Sequence, residues 1–185
     1  MPVLPIVRLG HPALRSPAAP VPLVEVGQPS FQALLDDLVD TMHDANGVGL
    51  AAPQVGVERQ IFVYERAGDG PELEPAIPLR IIINPMLTPQ SGEVVYDWEG
   101  CLSIPDLRGL VPRHPVVRVR GLDRHGQPLD YVAKGFEARI VQHEFDHLNG
   151  VVFLDRMRDL KSLSFLGEWE ELMAGETNEE EVGLG

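Results

Sequence analysis

The sequence predicts an α+β fold in which antiparallel sheets pack around a central helix, with one helix before them and one after. Three observations predict it. A helical pattern comes early, several strand-like stretches with turn signals follow, and two more helical patterns close the chain. Elements in that order do not alternate as strand–helix–strand units, so a parallel sheet is not expected.

Residues 1–29 carry proline at 2, 5, 12, 17, 20, 22 and 29, which predicts an extended arm on the surface. Ser30 then reads as an N-cap. Phe31, Leu34, Leu35, Leu38, Val39 and Met42 follow at helical spacing, with Asp36, Asp37 and Asp40 on other faces, so a helix is predicted over 30–44. Asn46-Gly47 ends it. "GVGLAAPQVG" (47–56) is a loop of small residues. "QIFVYE" (60–65) and "LRIIINPML" (79–87) read as strands, the second apolar enough for burial on both faces, and a polar loop (67–78) joins them. "EVVYDWEGCLS" (93–103) is a further extended stretch. "VVRVRGLD" and "QPLDYVA", joined by "RHG", read as a hairpin. The central helix is expected from about Lys134 to Asn149, stopped by Gly150. A last amphipathic helix is expected over Asp159–Met173, with Leu163, Leu166, Trp169 and Met173 on or near one face. Residues 1–174 are thus read as one domain, and 175–185 as an acidic, disordered tail.

The 185 residues carry a net charge of −13. From Glu168 onward there are seven glutamates and no Lys or Arg. This argues against a nucleic-acid-binding face. The single cysteine, Cys101, excludes an internal disulfide and fits a reducing compartment. Prolines and Arg8 interrupt the N-terminus where an export signal needs an apolar core, and no run is long enough to span a membrane. A cytoplasmic protein is expected.

The central helix contains His143-Glu144-x-x-His147. Residues four apart share a helix face, so both imidazoles can meet one ion while Glu144 reaches a water beside it. Two histidines need a third ligand. A HExxHxxGxxH pattern fails because Phe153 stands where the last histidine would be. Glu168, Glu170 and Glu171 lie in what reads as a solvated acidic surface. Cys101, preceded by Gly100, is the favoured candidate, and Cys plus two His leaves a coordination position open, as in catalytic sites. Phe136 and Ile140 continue the histidine face as an apolar stripe, with Arg139 beside it.

Three stretches, "GVGLAAPQ" (47–54), "EGCLS" (99–103) and "QHEFDH" (142–147), together resemble the three motifs of peptide deformylase, in the same order. The resemblance spans about residues 2–160. It implies removal of the formyl group from N-formylmethionine on new polypeptides, releasing formate. It implies Cys101, His143 and His147 as metal ligands. Glu144 becomes the general acid/base for a metal-bound water, and Gln54 with the Leu102 backbone N–H becomes the oxyanion donor. The implied ion is Fe²⁺, with Zn²⁺, Ni²⁺ or Co²⁺ as substitutes. An unbranched methionine side chain suits a pocket of Val48, Phe136, Ile140 and the His143 ring. Gly49 and Gly100 are candidates for backbone contact with substrate, and Arg108 and Arg139 for further contact. Glu99 is expected to brace Arg113 or Arg139, or to stand behind the metal ligands. Nascent chains are the expected partners, and the acidic C-terminus argues against its docking on ribosomal RNA. Two alternatives remain at this stage: an HExxH endopeptidase using a distal glutamate, and a non-catalytic binding protein with a structural metal.

Overall fold

The computed structural model describes residues 3–68 and 76–182, with backbone alone beyond 175. It is a mixed fold of helices and antiparallel sheets. The helices are α1 (Leu23–Val26), α2 (Pro29–Asp44), α3 (Gly135–Leu148), α4 (Phe153–Arg156) and α5 (Leu166–Val182). The strands are β1 (Gly49–Ala51), β2 (Ile61–Arg66), β3 (Ile77–Pro89), β4 (Val95–Cys101), β5 (Ile104–Arg113), β6 (Val116–Leu122), β7 (Pro128–Lys134) and β8 (Ser164–Phe165). One sheet runs β1-β2-β3-β6-β7 and the other β4-β5-β8. Every strand pairing within them is antiparallel.

The larger sheet is buried on both faces, as the run Ile81-Ile82-Ile83 predicts. Ile61, Val63, Ile81 and Ile83 point toward α2, where Phe31, Leu35, Leu38 and Met42 cover them. Phe62, Tyr64 and Ile82 point the other way and pack with Ala138, Ile140 and Val141 of α3. The alternation along each strand sends its side chains to two separate cores. Leu35, Leu38 and Met42 are fully buried, each contributing about 1.5–3 kcal/mol. A third cluster of Cys101, Ile104, Val111, Val152 and Phe153 joins the smaller sheet to α4.

The predicted hairpin is β6–β7, in register from Val116↔Lys134 to Leu122↔Pro128. Asp123 Oδ1 closes its turn by accepting from the N–H groups of His125 and Gln127. Gly126 there has φ +75°. α3 begins one residue after the expected start and ends at Leu148, with Gly150 left-handed at φ +70°.

Four expectations are corrected. α2 is capped by Gln28, not Ser30, because Pro29 takes the first helical position, where its missing N–H costs nothing. The arm is not wholly extended: a 3-10 turn at Pro12–Leu14 and the single turn α1 each start at or just after a proline. "IPDLRGLVPR" forms β5, a strand hidden in the sequence by Pro105, Gly109 and Pro112. The last helix starts at Leu166 rather than Asp159. Asp159 instead closes a turn on the N–H of Lys161, and Ser164–Phe165 pair with β5. That helix runs to Val182 and so covers 175–182 of the expected tail, where Glu176, Glu179, Glu180 and Glu181 favour helix. Residues 183–185 of the expected tail, and residues 69–75 of the expected loop, lie outside the described residues. No helix among the described residues is long and apolar enough to cross a membrane.

Candidate metal centre and active site

β4 delivers Cys101 at its end, beside α3. Helical spacing stacks His143 and His147 one turn apart, with ring centroids separated by 5.1 Å. Cys101 Sγ lies 3.3 Å from His147 Nε2. One ligand atom from each of Cys101, His143 and His147 falls within 4.8 Å of the others, and all three residues are buried. A tetrahedral ion with bonds of about 2.0–2.3 Å needs ligand atoms roughly 3.5 Å apart, so the set fits a divalent ion. The donor chemistry fits too. His143 Nδ1 is 2.9 Å from Glu99 Oε2, which commits that nitrogen and leaves Nε2 for a metal. Burial lowers the His147 pKa well below its ordinary value, keeping the imidazole neutral, as a ligand must be. His143 is pulled the other way. Burial opposes its charge, but hydrogen bonds and attraction from Cys101 and Glu99 outweigh this and raise its pKa.

Glu99 is the hub beneath the site. It accepts from Arg113 Nε at 2.9 Å and Nη2 at 3.0 Å, and from Arg139 Nη1 at 2.7 Å, as well as meeting His143. Burial alone would raise its pKa; hydrogen bonds from His143 and Arg113 overcome this and hold it well below the usual carboxylate range. Arg113 is shared with Asp146, at 2.5 Å, and Arg156 reaches Asp146 at 2.6 Å. Of the expected braces for Glu99, all are present at once. Arg139, expected beside the substrate, borders the cleft, but its guanidinium is engaged by Glu99 and by the carbonyls of Val95 and Val111. It is a brace because α3 turns its long side chain onto β4 and β5.

Glu144 is buried, and its Oε2 has no partner among the described residues. Burial pushes its pKa up to about 7. Gly49 makes room for it: a Cβ there would be 2.4 Å from Glu144 Oε1. Gln54 is held by the N–H of Ala51, which donates to its Oε1 at 2.8 Å. This turns its amide nitrogen toward Cys101 Sγ, 3.6 Å away, and Ser103 Oγ, 3.3 Å away. The two remaining sources of a third ligand are absent from the cluster. Phe153 stacks on the His143 ring at 6.4 Å, and Glu168, Glu170 and Glu171 are not in the group.

A cleft of about 520 Å³ opens beside these groups. Val48, Gly100, Leu102, Arg108, Phe136 and Ile140 line it together with Cys101, His143 and Glu144. Gly49 and Gln54 do not line it. Sequence reasoning missed Ser103 and Asp146. A signal existed for Asp146: with Arg139 and His143 it follows the i, i+4, i+7 spacing of one helix face.

The profile of the polypeptide deformylase family matches residues 3–163. The chain belongs to the polypeptide deformylase family. Peptide deformylase 1 of Nitrosomonas europaea is 43% identical over 177 residues, 95% of this chain and 97% of that one. Peptide deformylase 2 of Bordetella bronchiseptica is 48% identical over 162 residues, 86% of this chain and 90% of that one. Among solved structures, the class I type b peptide deformylase of Acinetobacter baumannii with Met-Ala-Ser bound superposes with a TM-score of 0.78 at 39% identity. That match covers 84% of this chain and 98% of the other. Membership carries the family's activity, hydrolytic removal of the N-formyl group from nascent peptides, with a single catalytic metal. Neither the endopeptidase nor the binding-protein alternative is favoured.

Proposed function

We propose that residues 1–174 act as one catalytic unit that hydrolyses N-formylmethionyl termini around a single ion held by Cys101, His143 and His147 of a central α3. One observation carries the assignment of roles: those three donors converge within 4.8 Å beside a buried carboxylate, Glu144, that lacks any protein partner among the described residues. When bound, the ion supplies Lewis acidity, polarising the formyl carbonyl and making a water nucleophilic near neutral pH. Glu144 takes a proton from the attacking water and delivers it to the departing nitrogen as the C–N bond breaks, so that formate and a free amine leave. The Gln54 amide and the Leu102 N–H donate to the oxygen on which charge develops. Glu99 keeps His143 in one orientation. Val48, Phe136 and Ile140 exclude water from the methionine side chain; the backbone at Gly100 pairs with the peptide, and that at Gly49 meets it at the cleft's edge, next to Val48.

The family resemblance implies Fe²⁺ as the native ion, and one cysteine and two histidines also suit Zn²⁺, Ni²⁺ or Co²⁺. The lone cysteine supports a reducing, cytoplasmic setting. Any contact with the ribosome would use a face other than the acidic C-terminus.

The test is formate release from a formyl-Met peptide by protein prepared without oxygen. Glu144→Ala should abolish release while keeping the metal. Cys101→Ala should lose the metal. Gln54→Ala should lower kcat by about 10²–10³. Full activity in Cys101→Ala would overturn the ligand assignment.

A further inference from the structure

The cleft is not enclosed by α3 and the strands alone. One wall is the start of α5: Leu166 lines the cleft beside Trp98 and Arg108. One turn into that helix stands Trp169. The Arg108 guanidinium lies over its ring, 5.7 Å from the centroid. Trp98 meets the same ring edge-on, with centroids 6.2 Å apart and planes at 64°. Arg108 also lies against Gly100, where a Cβ would be 2.2 Å from Nη1. The guanidinium is thus seated between a bare strand backbone and an indole. Its Nη1 donates to the Leu107 carbonyl at 2.9 Å, and no carboxylate among the described residues pairs with it. The Trp169 N–H has no partner among the described residues, so what the ring offers its neighbours is its face and its edge.

We infer that the first turns of α5 are part of the substrate groove and that Trp169 is a positioning residue. It seats Arg108, with Trp98 edge-on to the same ring, where that arginine grips the peptide beyond formylmethionine. The inference rests on the cleft being the formyl-peptide groove. An arginine with free donors, held at the edge of such a groove, suits peptide carbonyls. A substrate ending just after formylmethionine gains little from this seat, whereas a longer one gains fully. The helix therefore sets selectivity for chain length and for the downstream residues.

Metal-loaded parent protein, Trp169→Ala, Trp169→Leu, Trp169→Phe, Arg108→Ala and the Arg108→Ala/Trp169→Ala double variant would be compared on formyl-Met-Ala-Ser and formyl-Met amide. Trp169→Ala and Trp169→Leu should each lower the ratio of kcat/KM for the long over the short substrate by about threefold to tenfold, mainly through KM, as loss of a cation–π contact would. Trp169→Phe should restore most of the ratio. In the Arg108→Ala background, Trp169→Ala should change the ratio no further. Trp169→Leu keeps an apolar side chain without a ring, so a parent-like ratio in that variant would overturn the inference even if Trp169→Ala folds poorly. An equal loss on both substrates, or additive effects in the double variant, would also overturn it. Absence of formate release by the parent protein on both substrates would instead sink the hydrolase reading, and this one with it.

Discussion

Two carboxylates a few residues from the ligands experience opposite environments. Glu99 is buried among cations, and Glu144 is buried without a partner. Their effects on stability therefore have opposite signs. The folded pKa of Glu99 lies below its unfolded value near 4.5, so its contribution is present above that pH and is lost as pH falls through the folded value. Removing it strands Arg113 and Arg139, and Glu99→Ala should destabilise the fold by about 3–5 kcal/mol. It should also weaken metal binding by about 10–100-fold, because His143 loses its orienting acceptor. Denaturant titration and metal competition measure the two effects separately. The folded pKa of Glu144 is raised from 4.5 to about 7, so its stabilising contribution is complete below 4.5 and is lost as pH rises through 7. In metal-stripped protein, Glu144→Gln should match the parent at pH 4 and exceed its stability at pH 8 by about 2–4 kcal/mol. A parent as stable as the variant at pH 8 would show that Glu144 is not desolvated.

The elements are held in place by the N-terminal arm. Val7 N–H donates to Gln54 O at 2.8 Å, Leu9 N–H to Ser103 O at 2.9 Å, and Ala18 N–H to Leu148 O at 2.8 Å. One strap thus reaches the Gln54 turn, the β4–β5 turn and the end of α3, which carry much of the site. The end of α3 is the tightest of these joints. Gly150 has φ +70°, and a Cβ there would lie 2.7 Å from the Arg15 carbonyl oxygen. Gly150→Ala combines a left-handed strain of about 1–2 kcal/mol with a backbone clash that cannot relax by a rotamer change. It should lower Tm by several degrees. By contrast, Gly10→Ala meets nothing within 4 Å, and although its φ of +105° is also strained, it should lower Tm less. Thermal denaturation of the two variants side by side checks this.

At the scale of the whole molecule, the charge of −13 is uneven, with seven glutamates and no Lys or Arg from 168 onward. Among the described residues of α5, Leu166 lines the cleft and Trp169 meets it through Arg108. Deleting residues 175–185 should leave kcat/KM for a short formyl peptide within about twofold at physiological salt, where electrostatic effects fall off over a Debye length of about 8 Å. Steady-state kinetics on the truncated chain measure it. A large loss would show that the distal part of α5 has a role in the site.

The sequence by itself determined a mixed fold of helices and antiparallel sheets, α2, α3, the β6–β7 hairpin and the His143/His147 pair. Each of these rests on local periodicity or on a motif that a few neighbouring residues spell out, as His143 and His147 do on one helix face. What the tertiary structure decided involves partners far apart in the chain. Glu99, Arg113, Arg139 and Asp146 come from two strands and a helix, and no local pattern says which carboxylate meets which guanidinium. β5 was hidden because its prolines and Gly109 lower strand propensity, and pairing with β4 and β8 overrides that. Gly49 and Gly100 read as candidates for backbone contact with substrate, and only folding brings Glu144 and Arg108 against them. Trp169 read as the apolar side of an amphipathic helix, and only packing placed it under Arg108. Periodicity records which face of an element is buried, but the identity of what covers that face is fixed by long-range contacts.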